Sequence, residues 1–276
     1  MFPADHPMLH GQSPLKPAAA SPDSVTMEII WARFPVNDAV LDDAAWREID
    51  ETQIDPAVRR ALVNNGIRAG VISGTLPPAI DKVLHQGATS DEKTAVTAAS
   101  SASTKKSQTA DLLTEPIIHG RTRRLRRNER FEIQASEPYP SMPLLISEGA
   151  ELTGHTFEQA DAIYSLKVDP RPDQSATVEL TPEINHGTPR LRYTGGDDGV
   201  LRQASLKERE VFDRLRMSVK LAPGEMLVLM SMPDAGSRLG HYFHTVDTAD
   251  GPQQKLILIR LAEVPQSDAF ADSGKP

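Results

Sequence analysis

The stretch Met217-Ser-Val-Lys-Leu-Ala-Pro-Gly-Glu-Met-Leu-Val-Leu-Met230 decides the fold class. Leu215, Met217, Val219 and Leu221 alternate with polar residues, the period-two signature of a strand with one buried face. Ala222-Pro-Gly-Glu225 follows, with Pro and Gly at the central positions of a type II turn, and predicts a hairpin between this strand and Met226–Met230. The run 226–230 is apolar at every position, and so is 256–259 within Lys255-Leu-Ile-Leu-Ile-Arg-Leu261. Both are therefore expected to be central strands covered on two faces.

Outward from this stretch the chain reads as strand after strand. Phe131-Glu-Ile-Gln-Ala135 alternates, and Tyr164, Leu166 and Val168 share one face of another strand. Ala176, Val178 and Leu180 point one way while Thr177, Glu179 and Thr181 point the other. Ser205-Leu-Lys-Glu208 has capping-box spacing, which predicts a short helix or turn over 206–214, although it runs straight into the alternating strand.

The N-terminal part differs. Val25–Phe34 is β-branched and aromatic, a strand stopped by Pro35. Asp42 or Asp43 can cap a helix carrying Trp46 and Ile49. Asp55 is a natural N-cap with Pro56 at the first helical position, Val58, Ala61 and Leu62 form one stripe, and Asn65-Gly66 ends the helix. Ile67–Ser73 reads as a strand, and Pro77-Pro78 starts a short helix through Leu84. The reading is α+β: a disordered N-terminus 1–23, a small α/β domain 24–85, a flexible Ala/Ser/Thr-rich linker 86–111, a mainly antiparallel β domain 112–264 and a polar tail 265–276.

Composition narrows the function. A net charge of −8 and aromatics at 5% argue against nucleic-acid binding. The absence of cysteine removes disulfides, thiolate metal sites and a cysteine nucleophile. There is no apolar stretch of membrane-helix length, so no integral membrane segment is expected. Met1–Asp23 does not read as a signal peptide, which places the chain in the cytoplasm; an export signal upstream would place it in the cell envelope instead.

The chemistry-bearing motifs are few. No Gly-x-Ser-x-Gly elbow, Walker loop or dinucleotide fingerprint occurs, so no catalytic residue is nominated and no cofactor is expected. His241 and His244 stand at i,i+3, but their surroundings read as strand or loop, where alternation separates them, so no metal is expected. The distinctive feature is Arg121, Arg123, Arg124, Arg126, Arg127 and Arg130, six arginines in ten residues around a turn at Asn128-Glu129. Arg123, Arg124, Arg126 and Arg127 are the candidate interface residues, with Trp31 and Trp46 as packing or contact residues of the N-terminal unit.

Thr177–Ile184, with its Thr-Pro step, Met217–Leu229 with its Gly-containing turn, and Lys255–Ile259 together resemble the β-domain of bacterial secretins, the ring-forming outer-membrane subunits of secretion and pilus systems. Leu180-Thr-Pro-Glu-Ile-Asn-His-Gly187 and Leu239-Gly-His-Tyr-Phe243 are also similar to signatures of a family of uncharacterised bacterial proteins. The resemblance spans roughly 115–264 and lacks the membrane hairpins of about 9–11 alternating residues that a pore requires. It implies a non-enzymatic structural or assembly protein that forms a homo-oligomer or docks on an envelope complex. A monomeric protein- or ligand-binding module is the alternative, and an enzyme the least supported reading.

Overall fold

The computed structural model of the chain describes residues 23–35, 46–82, 84, 118–149, 151–195, 201–233, 235–248 and 251–265. The N-terminal stretch 1–23, the linker 86–111 and the tail 265–276 lie outside the described residues, apart from Asp23 and Pro265. In chain order the strands are β1 (Ser24–Pro35), β2 (Ile67–Ile72), β3 (Ile118–Arg126), β4 (Phe131–Gln134), β5 (Tyr139–Glu148), β6 (Glu151–Pro170), β7 (Ala176–Gly195), β8 (Leu201–Val211), β9 (Met217–Leu221), β10 (Met226–Ser231), β11 (Thr245–Thr248) and β12 (Gly251–Glu263). The class is β-rich α+β, as the alternation predicts.

The strands build two antiparallel sheets. The first runs β2-β10-β12-β1-β3, with β11 also on β12; the second runs β4-β6-β7-β8, with β5 on the first half of β6 and β9 on the first half of β7. The strands of residues 24–85 therefore do not form a sheet of their own. β1 lies between β12 and β3, and β2 closes the other side against β10.

The doubly apolar runs sit where their composition demands. Leu227, Leu229, Ile257 and Ile259 face an inner core shared with Tyr164, Leu166, Val178 and Leu180 of the second sheet. Their neighbours Met226, Val228, Met230, Leu256 and Leu258 face an outer core roofed by Trp46, Ile49 and Ile80. Each such side chain contributes about 1.5–3 kcal/mol on burial, so both faces of the first sheet need their covers.

Tight turns act here as corners between sheets. Glu225 N–H donates to the Ala222 carbonyl at 3.0 Å and Gly224 has φ +93°, so the predicted type II turn is present. The predicted hairpin is not: β9 pairs with β7 of the second sheet, β10 with β2 and β12 of the first. A type II turn does not match the twist of paired strands, as the primed hairpin turns do, and it splays its two arms apart. The turn at Asn128 (φ +58°) does the same, sending β3 to one sheet and β4 to the other rather than forming a strand pair.

Two further expectations are corrected. Residues 205–211 belong to strand β8, and only Asp213–Leu215 are helical, as a single 3-10 turn that also takes Leu215 out of the strand. The long cross-strand register with β7 overrides the local capping signal. Leu239–His244, expected as strand or loop, is a short helix. The helix Pro56–Asn64 is built as read: the Asp55 carboxylate accepts from Ala57 and Val58 N–H at 2.8 and 3.2 Å, and Leu62 is buried against the inner core.

Candidate functional site

Strand β3 is an edge strand whose only sheet neighbour among the described residues is β1. The register sets its faces. Leu125, Arg123, Arg121 and His119 lie opposite Val25, Met27, Ile29 and Trp31, on the side of the inner core. Arg126, Arg124 and Thr122 lie opposite Ser24, Thr26 and Glu28, on the other side. Only Leu125 is buried; Arg121, Arg123, Arg124 and Arg126 are all exposed.

The six clustered arginines separate into two groups. Arg127 is tied to Asp169 at 2.9 Å and Asp23 at 3.5 Å, and Arg130 to Glu183 at 2.6 Å and also to Glu132. Those two hold the corner between β3 and β4 and brace it on the second sheet. The side chains of Arg121, Arg124 and Arg126 make no ion pair among the described residues, and Arg123 has only the Phe131 ring, 5.9 Å from its guanidinium. Arg127 is thus ion-paired to the second sheet while its side chain stays exposed, and the basic edge without ion pairs among the described residues comprises Arg121, Arg123, Arg124 and Arg126.

The two tryptophans also part company. Trp46 is 4% exposed, donates to the Met230 sulfur at 3.0 Å and carries the Arg68 guanidinium over its ring at 4.5 Å, so it belongs to the outer core. Trp31 is half-buried beside the basic edge. Its indole N–H donates to the Gln134 carbonyl at 3.0 Å, and His119 packs on its ring at 5.6 Å.

The opposite edge of the same sheet shows what a covered edge looks like. Asp50 and Val71 exchange both backbone hydrogen bonds at 2.9 Å, covering the outer side of β2 at Val71. Ile49 lies so close that a Cβ on Gly70 would stand 2.6 Å from its Cγ2. β3 has no such cover among the described residues.

A second polar group lies in the interior. His244 and Tyr164 are fully buried, and His244 Nδ1 is 3.0 Å from the Lys255 carbonyl, which can only accept. Nδ1 therefore carries the proton, and Nε2 accepts from the Tyr164 hydroxyl at 2.8 Å. Burial pushes the His244 pKa down to about 3 and the Tyr164 hydroxyl well above its usual value, so both stay neutral. The Lys255 ammonium donates to the Ala135 carbonyl. This arrangement joins β6 of one sheet to β12 of the other and satisfies polar groups that the core would otherwise penalise. Alternation placed Tyr164 inward; that a buried hydroxyl needs a partner was legible, but the partner's identity was not.

Of the other described histidines, His155 and His186 both pack on Phe157, at 6.1 and 4.9 Å, and His241 packs on Tyr242 at 5.2 Å; among the described residues no three His, Asp or Glu side chains are grouped to hold a metal. No helix among the described residues is long and apolar enough to cross a membrane. No protein family, curated protein or solved structure matches the chain.

Proposed function

We propose that this chain is a non-catalytic docking and assembly protein whose contact surface is the basic edge strand β3, and that it takes an acidic protein surface there. One observation carries the reading. In a chain of net charge −8, where neighbouring Arg127 and Arg130 are ion-paired, four exposed arginines of one sheet edge have no carboxylate partner among the described residues. Arginine stays charged at any physiological pH, so these side chains repel one another until a partner neutralises them. Such a patch also steers an acidic partner toward the edge.

The same charges argue against pairing of β3 with β3 of a second copy, which would set arginine against arginine. The secretin resemblance supplies nothing to this reading, because it rests on sequence motifs that carry no information about β3. The sparse aromatics, 5% of the chain, favour an acidic protein over a base-stacking nucleic acid as the occupant.

The test is fluorescence anisotropy of a labelled poly-glutamate peptide titrated with the full chain at low salt. The expected result is saturable binding that weakens with added salt and falls about tenfold or more when Arg121, Arg123, Arg124 and Arg126 are replaced by glutamate. Binding that survives the fourfold charge reversal would place the contact elsewhere and end the proposal.

A further inference from the structure

We infer that β3 takes its acidic partner by strand addition, so that the partner contributes an extended segment to the first sheet with its carboxylates in a set register. This rests on the docking function proposed above and specifies its mode. An edge strand of nine residues without proline offers every second N–H and C=O to a further strand. Main-chain hydrogen bonds then give affinity and alternate side chains give specificity.

The register of β3 on β1 dictates the partner's sequence. Arginines lie at 121 and 123 on one face and at 124 and 126 on the other, with buried Leu125 facing the inner core between them. An antiparallel partner read from the position opposite Arg126 therefore has the order acidic, apolar, acidic, acidic, any residue, acidic, ending opposite Arg121. Directly opposed side chains on neighbouring strands are close enough to pair, so each carboxylate meets one guanidinium. The apolar residue beside Leu125 extends the row begun by Val25. A disordered acidic tail lying loosely on the arginines would have no such order. A nucleic acid strand has no peptide N–H and C=O groups to pair with the backbone edge in this way.

The experiment uses the full chain and the labelled peptide Glu-Val-Glu-Glu-Thr-Glu, capped at both ends, in three forms: unmodified, and backbone N-methylated at either set of alternate residues. In an added strand one set of N–H groups points at β3 and the other points away. The expected result is that one methylated form binds like the unmodified peptide and the other about tenfold or more weakly. The double variant Arg123→Glu, Arg124→Glu weakens all forms. Equal binding of both methylated forms would overturn strand addition while leaving a basic docking patch in place. Failure of every acidic peptide, poly-glutamate included, to bind at low salt would overturn the docking function as well. Displacement of the peptide by a single-stranded oligonucleotide at lower concentration would overturn the acidic-protein partner.

Discussion

Replacing Gly240 by alanine is expected to destabilise the protein by about 3 kcal/mol or more, the upper range for forcing an atom into a packed site. A Cβ at this position would stand 1.8 Å from the Gly66 carbonyl oxygen and 2.3 Å from its carbon. The obstacle is backbone, which cannot rotate aside. Gly66 itself is held at φ +78° by the end of the helix Pro56–Asn64, and its carbonyl accepts from Met232 N–H at 2.8 Å. Gly240 N–H in turn donates to the Asn65 carbonyl at 2.9 Å, so the two chain segments clasp each other directly. Helix propensity alone would predict the opposite sign, since alanine is favoured over glycine inside a helix by about 1 kcal/mol. Thermal unfolding of Gly240→Ala beside Gly120→Ala, where the added methyl meets open space, checks the account. A melting temperature lowered for both alike, or for neither, would contradict it.

Stability should also fall as the solution is acidified from about pH 6.5, and His244 should supply a definable share of the loss. The sign follows from the two states. In the fold His244 is neutral, its pKa pushed down to about 3 chiefly by burial, with the nearby Lys255 charge acting in the same direction and the bond to the Lys255 carbonyl opposing it. In the unfolded chain it titrates near 6.5. Between those values only the unfolded state binds the proton, so the stabilising contribution is complete above 6.5 and is lost as pH falls toward 3. The slope approaches about 1.4 kcal/mol per pH unit for one such group. His244→Gln, which cannot charge, should be less stable than the parent at pH 7 by about 1–3 kcal/mol, having lost well-placed partners. Its deficit should then narrow with acid. Urea unfolding of both proteins from pH 7 to 4.5 measures this directly; parallel stability curves would show that His244 is not held neutral by the core.

Local chemistry made part of this architecture readable from sequence. The apolar runs 226–230 and 256–259 said that one sheet must be covered twice, and its two cores are divided residue by residue as that reading requires. Asp55, Pro56 and Asn65-Gly66 marked one helix from cap to stop. What escaped was long-range pairing. Nothing in the periodicity of Val25–Phe34 says that it lies between residues 118–126 and 253–263. The Pro-Gly turn was identified correctly, but its consequence was not, because turn type and strand partnership are separate questions until twist is considered.

The site was legible in the same partial way. Six arginines in ten residues were evident, yet composition could not tell those that brace a corner from those that line an edge. That distinction depends on Asp169 and Glu183, which are distant in sequence and meet Arg127 and Arg130 only through the pairing of the second sheet. The helix Leu239–His244 was hidden because its Gly240 is a poor helix former, retained there by the close approach of Gly66.

Amide hydrogen exchange of the full chain with and without poly-glutamate tests the central claim most directly. New protection confined to Ile118–Arg126 and its neighbour β1 is the predicted result. Protection instead in the pocket of the second sheet where Arg130, Lys167, Arg209 and Arg216 lie among Glu179, Glu183 and Asp213, with β3 unchanged, would contradict the assignment of β3 as the docking edge.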